Sequence, residues 1–235
     1  MSSDTPVTDK IDKKSTLKDE PPMWLIGYNL LSGCLWSFVL LNVIATHISF
    51  GFDFYRTFQL THWWTTIIQC FAVVEIYNSA MGIVRSPILT TTMQVLSRLL
   101  VVIGVWTIVP YAPNNYSYAY LTVHIAWSLS EVIRYYYYAQ HLISQQTQIK
   151  GQTPNKVSPL LLWLRYNAFI ILYPLGITSE LIMIWSAAFH SKSSIYGLFL
   201  LISMAAYIPG APVLFSHMLV QRKKFLGNKI TKKTE

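Results

Sequence analysis

Charge is what this sequence is short of. Only 12% of its 235 residues are Asp, Glu, Lys or Arg, where a soluble domain carries about 25%. More than half of those charges crowd into the two ends of the chain. Long apolar runs fill the middle, which excludes an ordinary water-soluble domain and points to a chain that lives in lipid. Cysteine is scarce as well. Cys34 and Cys70 both fall in apolar runs and no CxxC pair exists, so neither a disulfide framework nor a thiolate metal site is expected. Both read as small buried hydrophobes. His47, His62, His124, His141, His190 and His217 show no ligand spacing, so no metal is expected and each reads as an interfacial or packing residue. No P-loop or dinucleotide glycine pattern is present, and no cofactor is expected. The polar stretch Ser2 to Glu20 lacks the apolar core of a cleavable signal peptide, so the first apolar run is expected to act as an uncleaved anchor.

A membrane crossing needs about 20 mostly apolar residues. Six runs qualify, roughly 25–47, 63–84, 91–110, 118–139, 160–188 and 196–220, with no internal repeat. The predicted fold is all-α: a polytopic bundle of six transmembrane helices. If both ends lie on one side, that side holds Lys10, Lys13, Lys14, Lys18, Arg85, Lys150, Lys156 and the C-terminal cluster from Arg222 to Lys233. The other side holds only Arg56 and Lys192. Basic residues collect in cytoplasmic loops, so both termini are predicted to be cytoplasmic. The net charge of +8 is then a topology signal with affinity for anionic lipid headgroups, and no nucleic-acid partner is expected. The expected organisation is a polar, disordered tail over 1–22, a six-span catalytic membrane domain over 23–221 and a basic tail over 222–235. The chain ends Lys232-Lys233-Thr234-Glu235, which resembles the receptor-read dilysine address of endoplasmic reticulum membrane proteins.

Six charges lie inside the predicted spans: Arg98, Arg134, Arg165, Glu75, Glu131 and Glu180. Each costs about 2.5–3.5 kcal/mol at the centre of an inserting helix, so each needs a partner or a function. Glu131 and Arg134 are three apart and can pair on one helix. Glu75 or Glu180 can pair with Arg98 or Arg165 across helices and hold the bundle together. Six charges nonetheless exceed what packing requires.

The fifth span reads Leu164-Arg165-Tyr166-Asn167, then Leu172-Tyr173-Pro174-Leu175-Gly176-Ile177-Thr178-Ser179-Glu180. Tyr173 and Glu180 are seven apart, so on a helix they lie within about 20° of one face and about 10.5 Å apart in rise. Pro174 and Gly176 are expected to kink or loosen the helix beside them, a break tolerated at membrane depth where it lines a cavity. A proline-kinked helix with an interfacial tyrosine is the plainer alternative. Tyr135-Tyr136-Tyr137-Tyr138 is expected to form an aromatic belt.

At these residues the chain resembles the very-long-chain 3-hydroxyacyl-CoA dehydratase family, also called protein-tyrosine-phosphatase-like membrane proteins, and its fungal members in particular. The resemblance runs from about Tyr28 to Lys224. Its blocks are Arg85-Ser86-Pro87, Gln94 to Arg98, Ala126 to Tyr135, Leu164 to Glu180 and Ala206-Tyr207-Ile208-Pro209-Gly210. It implies an endoplasmic reticulum enzyme with six spans, cytoplasmic ends and catalytic residues at Tyr173 and Glu180. A phosphatase activity is not implied, because neither cysteine is followed by an arginine at phosphatase-loop spacing.

Dehydrating a 3-hydroxyacyl thioester means removing a proton from C2 and protonating the hydroxyl that leaves C3. Glu180 is expected as the base and Tyr173 as the acid, with the exchange of roles through a tyrosine phenolate left open. Gln94, Arg98, Glu131, Arg134, Arg165 and Gly176 are candidates for the surrounding support. The expected partners are the long-chain 3-hydroxyacyl-CoA substrate, membrane lipid, and the condensing enzyme and reductases of fatty acid elongation. A membrane transporter, or a non-catalytic scaffold of the elongation complex, is the rival reading.

Overall fold

The computed structural model describes residues 20–84, 86–153 and 156–234, with side chains as far as Leu226. The expected tail up to residue 19, Arg85, and the side chains of Lys229, Lys232 and Lys233 lie outside the described residues. No strand occurs among those described, and the all-α expectation holds. The helices are α1 (Met23–Phe50), α2 (Phe54–Cys70), α3 (Val73–Ala80), α4 (Ile88–Leu99), α5 (Tyr118–Ile149), α6 (Pro159–Asn167), α7 (Phe169–His190), α8 (Ser194–Ala205) and α9 (Tyr207–Thr234). A π-helical segment, Leu100–Thr107, continues α4, and a 3₁₀ turn, Pro113–Tyr116, precedes α5. Gly51 and Gly151, with φ of 66° and 68°, turn the chain after α1 and α5, a backbone region that glycine enters without a Cβ penalty.

Four helical stretches are long and apolar enough to cross a membrane: Met23–Phe50, Ile88–Thr107, Phe169–His190 and Ser194–Leu226. Two of the six predicted runs do not qualify. One, predicted over 63–84, is broken at Phe71-Ala72 between α2 and α3. The other is α5, a helix of 32 residues whose His124, Glu131, Arg134 and tyrosines dilute its apolar character. Large apolar side chains cover the outside of the bundle: Ile195 is 83% exposed and Ile48 81%. In water so broad an apolar surface would be untenable.

The helix breaks differ from those predicted. The run expected as one helix over 160–188 divides at Ala168, six residues before Pro174, while Pro174 sits inside the unbroken α7. Ile171 bonds back only three residues, to Ala168. Pro174 has no N–H to give the Ile170 carbonyl, so the weakened hydrogen bonding falls in the first turn of α7 rather than at Gly176. The last predicted span likewise breaks at Ala206, between α8 and α9, just before Pro209 and Pro212. The α9 helix then runs through the expected basic tail to Thr234.

Helix α5 is the axis of the bundle, packed along α1 and α7, with α8 against the far side of α7. The core gathers Trp36 and Val39 of α1, Phe58 of α2, Trp106 of the π segment, Tyr120 and Trp127 of α5, and Met183 of α7. His124 stacks on Trp106 at 5.0 Å and bonds both the Tyr120 carbonyl (2.9 Å) and the Thr65 hydroxyl (3.0 Å), so it is a satisfied packing residue. The cysteines depart from expectation, since both are exposed on the outside of the bundle. A small apolar side chain loses nothing by facing hydrocarbon. The four tyrosines do not form a belt either. Successive helical residues turn by 100°, so Tyr135 is buried, Tyr136 packs on Gly33, Tyr137 stacks on His141 and Tyr138 meets Arg165.

The α7–α8 hairpin closes tightly at Gly197, where an added Cβ would lie 2.5 Å from the Ala188 carbonyl oxygen. Gly197→Ala is expected to destabilise the bundle by about 1–3 kcal/mol through overpacking against backbone. A lowered thermal midpoint of the detergent-solubilised protein would show it, and an unchanged midpoint would refute it.

Candidate active site

One cavity of about 770 Å³ runs between α4, α5, α7, α8 and α9, and every residue singled out from the sequence lines it: Gln94, Arg98, Glu131, Arg134, Arg165, Tyr173, Gly176 and Glu180. Of the six charges predicted to lie in the spans, four are tied together, and Glu180 and Arg165 stand apart from them. Glu75, Glu131, Arg98 and Arg134 form a continuous network joining α3, α4 and α5. Arg134 grips Glu75 with two bonds of 2.6 Å and donates Nε–H to Glu131 at 2.8 Å. Arg98 donates to the other oxygen of Glu131, and the Tyr135 hydroxyl donates to Glu75. The predicted local pair of Glu131 and Arg134 is present, but the cross-helix pairs differ from those predicted: Glu75 pairs with Arg134 and Arg98 with Glu131, while Glu180 and Arg165 join no ion pair among the described residues. Bidentate guanidinium–carboxylate geometry of this kind satisfies donors that would otherwise be costly to bury.

Glu180 stands outside this network. Its Oε1 accepts from the indole N–H of Trp127 at 2.8 Å and its Oε2 from the Tyr207 hydroxyl at 2.8 Å. No arginine bridges to it among the described residues. The arginine influence arrives at second hand, since the Arg98 guanidinium lies 5.3 Å from the Trp127 ring centroid. A carboxylate clasped by two guanidiniums is committed as an anion, whereas one held by neutral donors is available to take up a proton. Tyr173 lies in the same cavity with its hydroxyl donating to the Ala211 carbonyl at 2.9 Å and its ring stacked on Phe215 at 5.7 Å. It makes no hydrogen bond to Glu180. The pair therefore flanks the cavity with one residue able to accept a proton and one able to donate it.

The remaining candidates differ in role. Arg165 donates to the Tyr138 hydroxyl at 3.2 Å and lies over the rings of Tyr137 and Tyr138. Gly176 faces Ala126 and Trp127, where a Cβ would meet them at 3.6–3.9 Å. It gives α7 room beside the indole that holds Glu180 but is not forced by sterics. Gln94 is exposed on the cavity wall.

Three residues escaped the reading of the sequence. Trp127 and Tyr207 stand in the blocks that carried the resemblance, yet neither residue type announces a hydrogen bond to a carboxylate. The one hint was that Trp127 precedes Glu131 by a single helical turn and so shares its face. Gln69, 1% exposed, also lines the cavity, and neither atom of its amide is bonded to protein. Among the described residues no cluster of three or more His, Cys, Asp or Glu could hold a metal ion.

The bundle thus combines membrane-grade helices, a buried ion network and one cavity onto which both Tyr173 and Glu180 face. Comparison with known proteins then places the chain. Residues 69–228 match the family described as "Protein tyrosine phosphatase-like protein, PTPLA", and the chain belongs to that family. It is 36% identical over 215 residues to the "Probable very-long-chain (3R)-3-hydroxyacyl-CoA dehydratase" of Schizosaccharomyces pombe, covering 88% of this chain and 94% of that protein. It is 31% identical to the very-long-chain (3R)-3-hydroxyacyl-CoA dehydratase hpo-8 of Caenorhabditis elegans, over 89% of this chain and 97% of that protein. Its identity to very-long-chain (3R)-3-hydroxyacyl-CoA dehydratase 1 of Mus musculus is also 31%, over 88% of this chain and 74% of that protein. No solved structure matches.

The two charge groups make separable demands on stability. Glu131→Ala leaves Arg98 and Arg134 without their shared partner and is expected to cost about 3–5 kcal/mol. Glu180→Gln keeps acceptor and donor atoms for Trp127 and Tyr207 and should cost far less. Thermal unfolding of the two variants side by side checks this, and the reverse order would refute the division.

Proposed function

We propose that this chain dehydrates (3R)-3-hydroxyacyl-CoA to trans-2-enoyl-CoA, the third step of very-long-chain fatty acid elongation. The observation that carries the reading is the placement of Tyr173 and Glu180 on one cavity, with Glu180 held by neutral donors, in a chain most of whose length is similar to dehydratases of that name. Glu180 takes the proton from C2, which the thioester carbonyl has acidified. Tyr173 leaves the Ala211 carbonyl and gives its proton to the C3 hydroxyl, which departs as water as the C2–C3 double bond forms. The pair is left as a carboxylic acid and a phenolate, and one proton returned from Glu180 to Tyr173, directly or through the released water, restores both. Trp127 and Tyr207 act as positioning residues by fixing the carboxylate. No cofactor enters, since coenzyme A is part of the substrate.

The family reading also supports six crossings. The α2–α3 run and α5 supply the two that composition alone does not mark, because their polar side chains face the site. Both termini are then cytoplasmic, in the endoplasmic reticulum membrane. At that end the Arg222 guanidinium meets the Asn167 side chain at 3.1 Å. With Lys150, Lys156, Lys223 and Lys224 nearby in the same loops and tail, it forms a basic rim for the phosphates of coenzyme A. The condensing enzyme and reductases of the cycle are the expected partners in place.

Tyr173→Phe and Glu180→Gln should each insert normally yet lower turnover of 3-hydroxyacyl-CoA by about 10²-fold or more. Tyr207→Phe, which frees one carboxylate oxygen, should lower it by about tenfold, the worth of one charge-assisted hydrogen bond. Product analysis on the purified protein measures all three. Wild-type rates from both Tyr173→Phe and Glu180→Gln would overturn the site.

A further inference from the structure

The cavity is not enclosed. On one side it is bounded by α4 and the π segment and on the other by α8 and α9, and these two walls approach each other at Met93 and Gly210, at the side chains of Ser97 and Tyr207, and at Gly104 and Tyr196. Towards one end, Met93 of α4 approaches Gly210 of α9 so closely that a Cβ there would lie 3.1 Å from the Met93 methyl. Towards the other, the Tyr196 hydroxyl of α8 donates to the Gly104 carbonyl of the π segment at 2.9 Å. Met93 and Gly104 are eleven residues apart, about 16 Å of helical rise. Between these two, beside the contact of Ser97 with Tyr207, the walls face each other across a slot lined by Leu96 and Ile103 on one side and by Phe199 and Ser203 on the other. Leu96 is 55% exposed, Ile103 41% and Phe199 50%, so the lining of the cavity is at the same time part of the bundle's outer surface. Tyr207, which holds Glu180, follows Ala206 directly at the slot's edge.

We propose that this slot is a lateral portal through which the acyl tail of the substrate passes from the active site into the surrounding hydrocarbon. The proposal rests on the dehydratase reading and identifies where its substrate's tail lies. Length decides the occupant. From Glu180 to the end of α7 at His190 there are ten residues, about 15 Å. The hydrocarbon core is about 30 Å thick and accommodates two opposed layers of ordinary acyl chains, so one ordinary chain already fills about 15 Å. A very long chain exceeds that, and it cannot be housed between Glu180 and the end of the bundle. An apolar slot continuous with the cavity and open at the depth of the tail lets the distal carbons remain in lipid, where their transfer costs nothing. The protein then encloses only the thioester, C2, C3 and the first carbons beyond, and chain length beyond the portal goes unread. The two bracketing contacts, Met93 on Gly210 and Tyr196 on Gly104, fix the ends of the opening.

The test uses the full-length protein in lipid nanodiscs. Ser203→Trp places an indole in the slot, at a residue whose hydroxyl bonds the Phe199 carbonyl and neither Tyr173 nor Glu180. Turnover of a medium-chain 3-hydroxyacyl-CoA should stay within about twofold of wild type, while that of a very-long-chain one falls by about tenfold or more. Equal effects on both chain lengths in a folded variant would overturn the portal. Because a tryptophan there can disturb folding, a second measurement uses wild-type protein and a very-long-chain 3-hydroxyacyl-CoA with a diazirine at its terminal carbon or a few carbons beyond C3. The terminal probe should label bilayer phospholipid and the proximal one Leu96, Ile103, Phe199 or Ser203. Terminal labelling of core residues such as Met183 or Trp106 would overturn the portal. If the wild-type protein dehydrates no chain length, the functional reading fails, and the labelling pattern still decides where an acyl tail lies.

Discussion

Arg134 reaching across to Glu75 while also holding Glu131 is the interaction on which the arrangement of this bundle depends. It fastens α3 to α5, and through Arg98 it brings α4 into the same polar cluster. Apolar association gives helices in lipid little reason to choose one register over another, because the lipid is as apolar as they are. A charged network has few satisfactory arrangements, so it selects one. With α4 and α5 set in that way, Arg98 lies over the Trp127 ring and Trp127 turns its N–H to Glu180. The Glu180 carboxylate thus takes its position from charges it never touches.

This division leaves Glu180 outside the ion network that joins the helices. If Glu180 had been clasped by Arg98 directly, the site would hold a fixed ion pair. The indole of Trp127 stands between them and gives a hydrogen bond without a formal charge. The π-helical segment after α4 has a comparable spatial role. It frees the Gly104 carbonyl for Tyr196 of α8, and π-helical turns often occur where a helix has been adapted to a site. The break at Ala206 brings Tyr207 and the Ala211 carbonyl to Glu180 and Tyr173 within one turn of each other on α9.

Much of this was legible in the residues. Charged side chains are rare in lipid-spanning sequence, so each of the six stood out, and all eight predicted site residues line one cavity. The helical class and the pairing of Glu131 with Arg134 follow from local spacing, which sequence displays directly. What escaped was set by tertiary placement. Trp127 and Tyr207 are unremarkable in composition, and only the approach of α5, α7 and α9 makes them partners of Glu180. The break at Ala168 falls upstream of Pro174, because a missing N–H weakens the preceding turn, and the break at Ala206, upstream of Pro209, was not expected at all. Cys34 and Cys70 were misplaced for a simpler reason: polarity does not distinguish the inside of a bundle from its outside when both are apolar.

In the proposed mechanism the bond from Tyr173 to the Ala211 carbonyl would have a kinetic meaning. A phenol that already donates to backbone yields its proton only to an acceptor that competes with a peptide carbonyl, and a hydroxyl on C3 can do so when held alongside. The enoyl product has no such group. Once water has left and the phenol has been reprotonated, Tyr173 has nothing on the product to hold and returns to Ala211. On that mechanism the resting contact would distinguish substrate from product at the atom where they differ, and would let the site release what it has made.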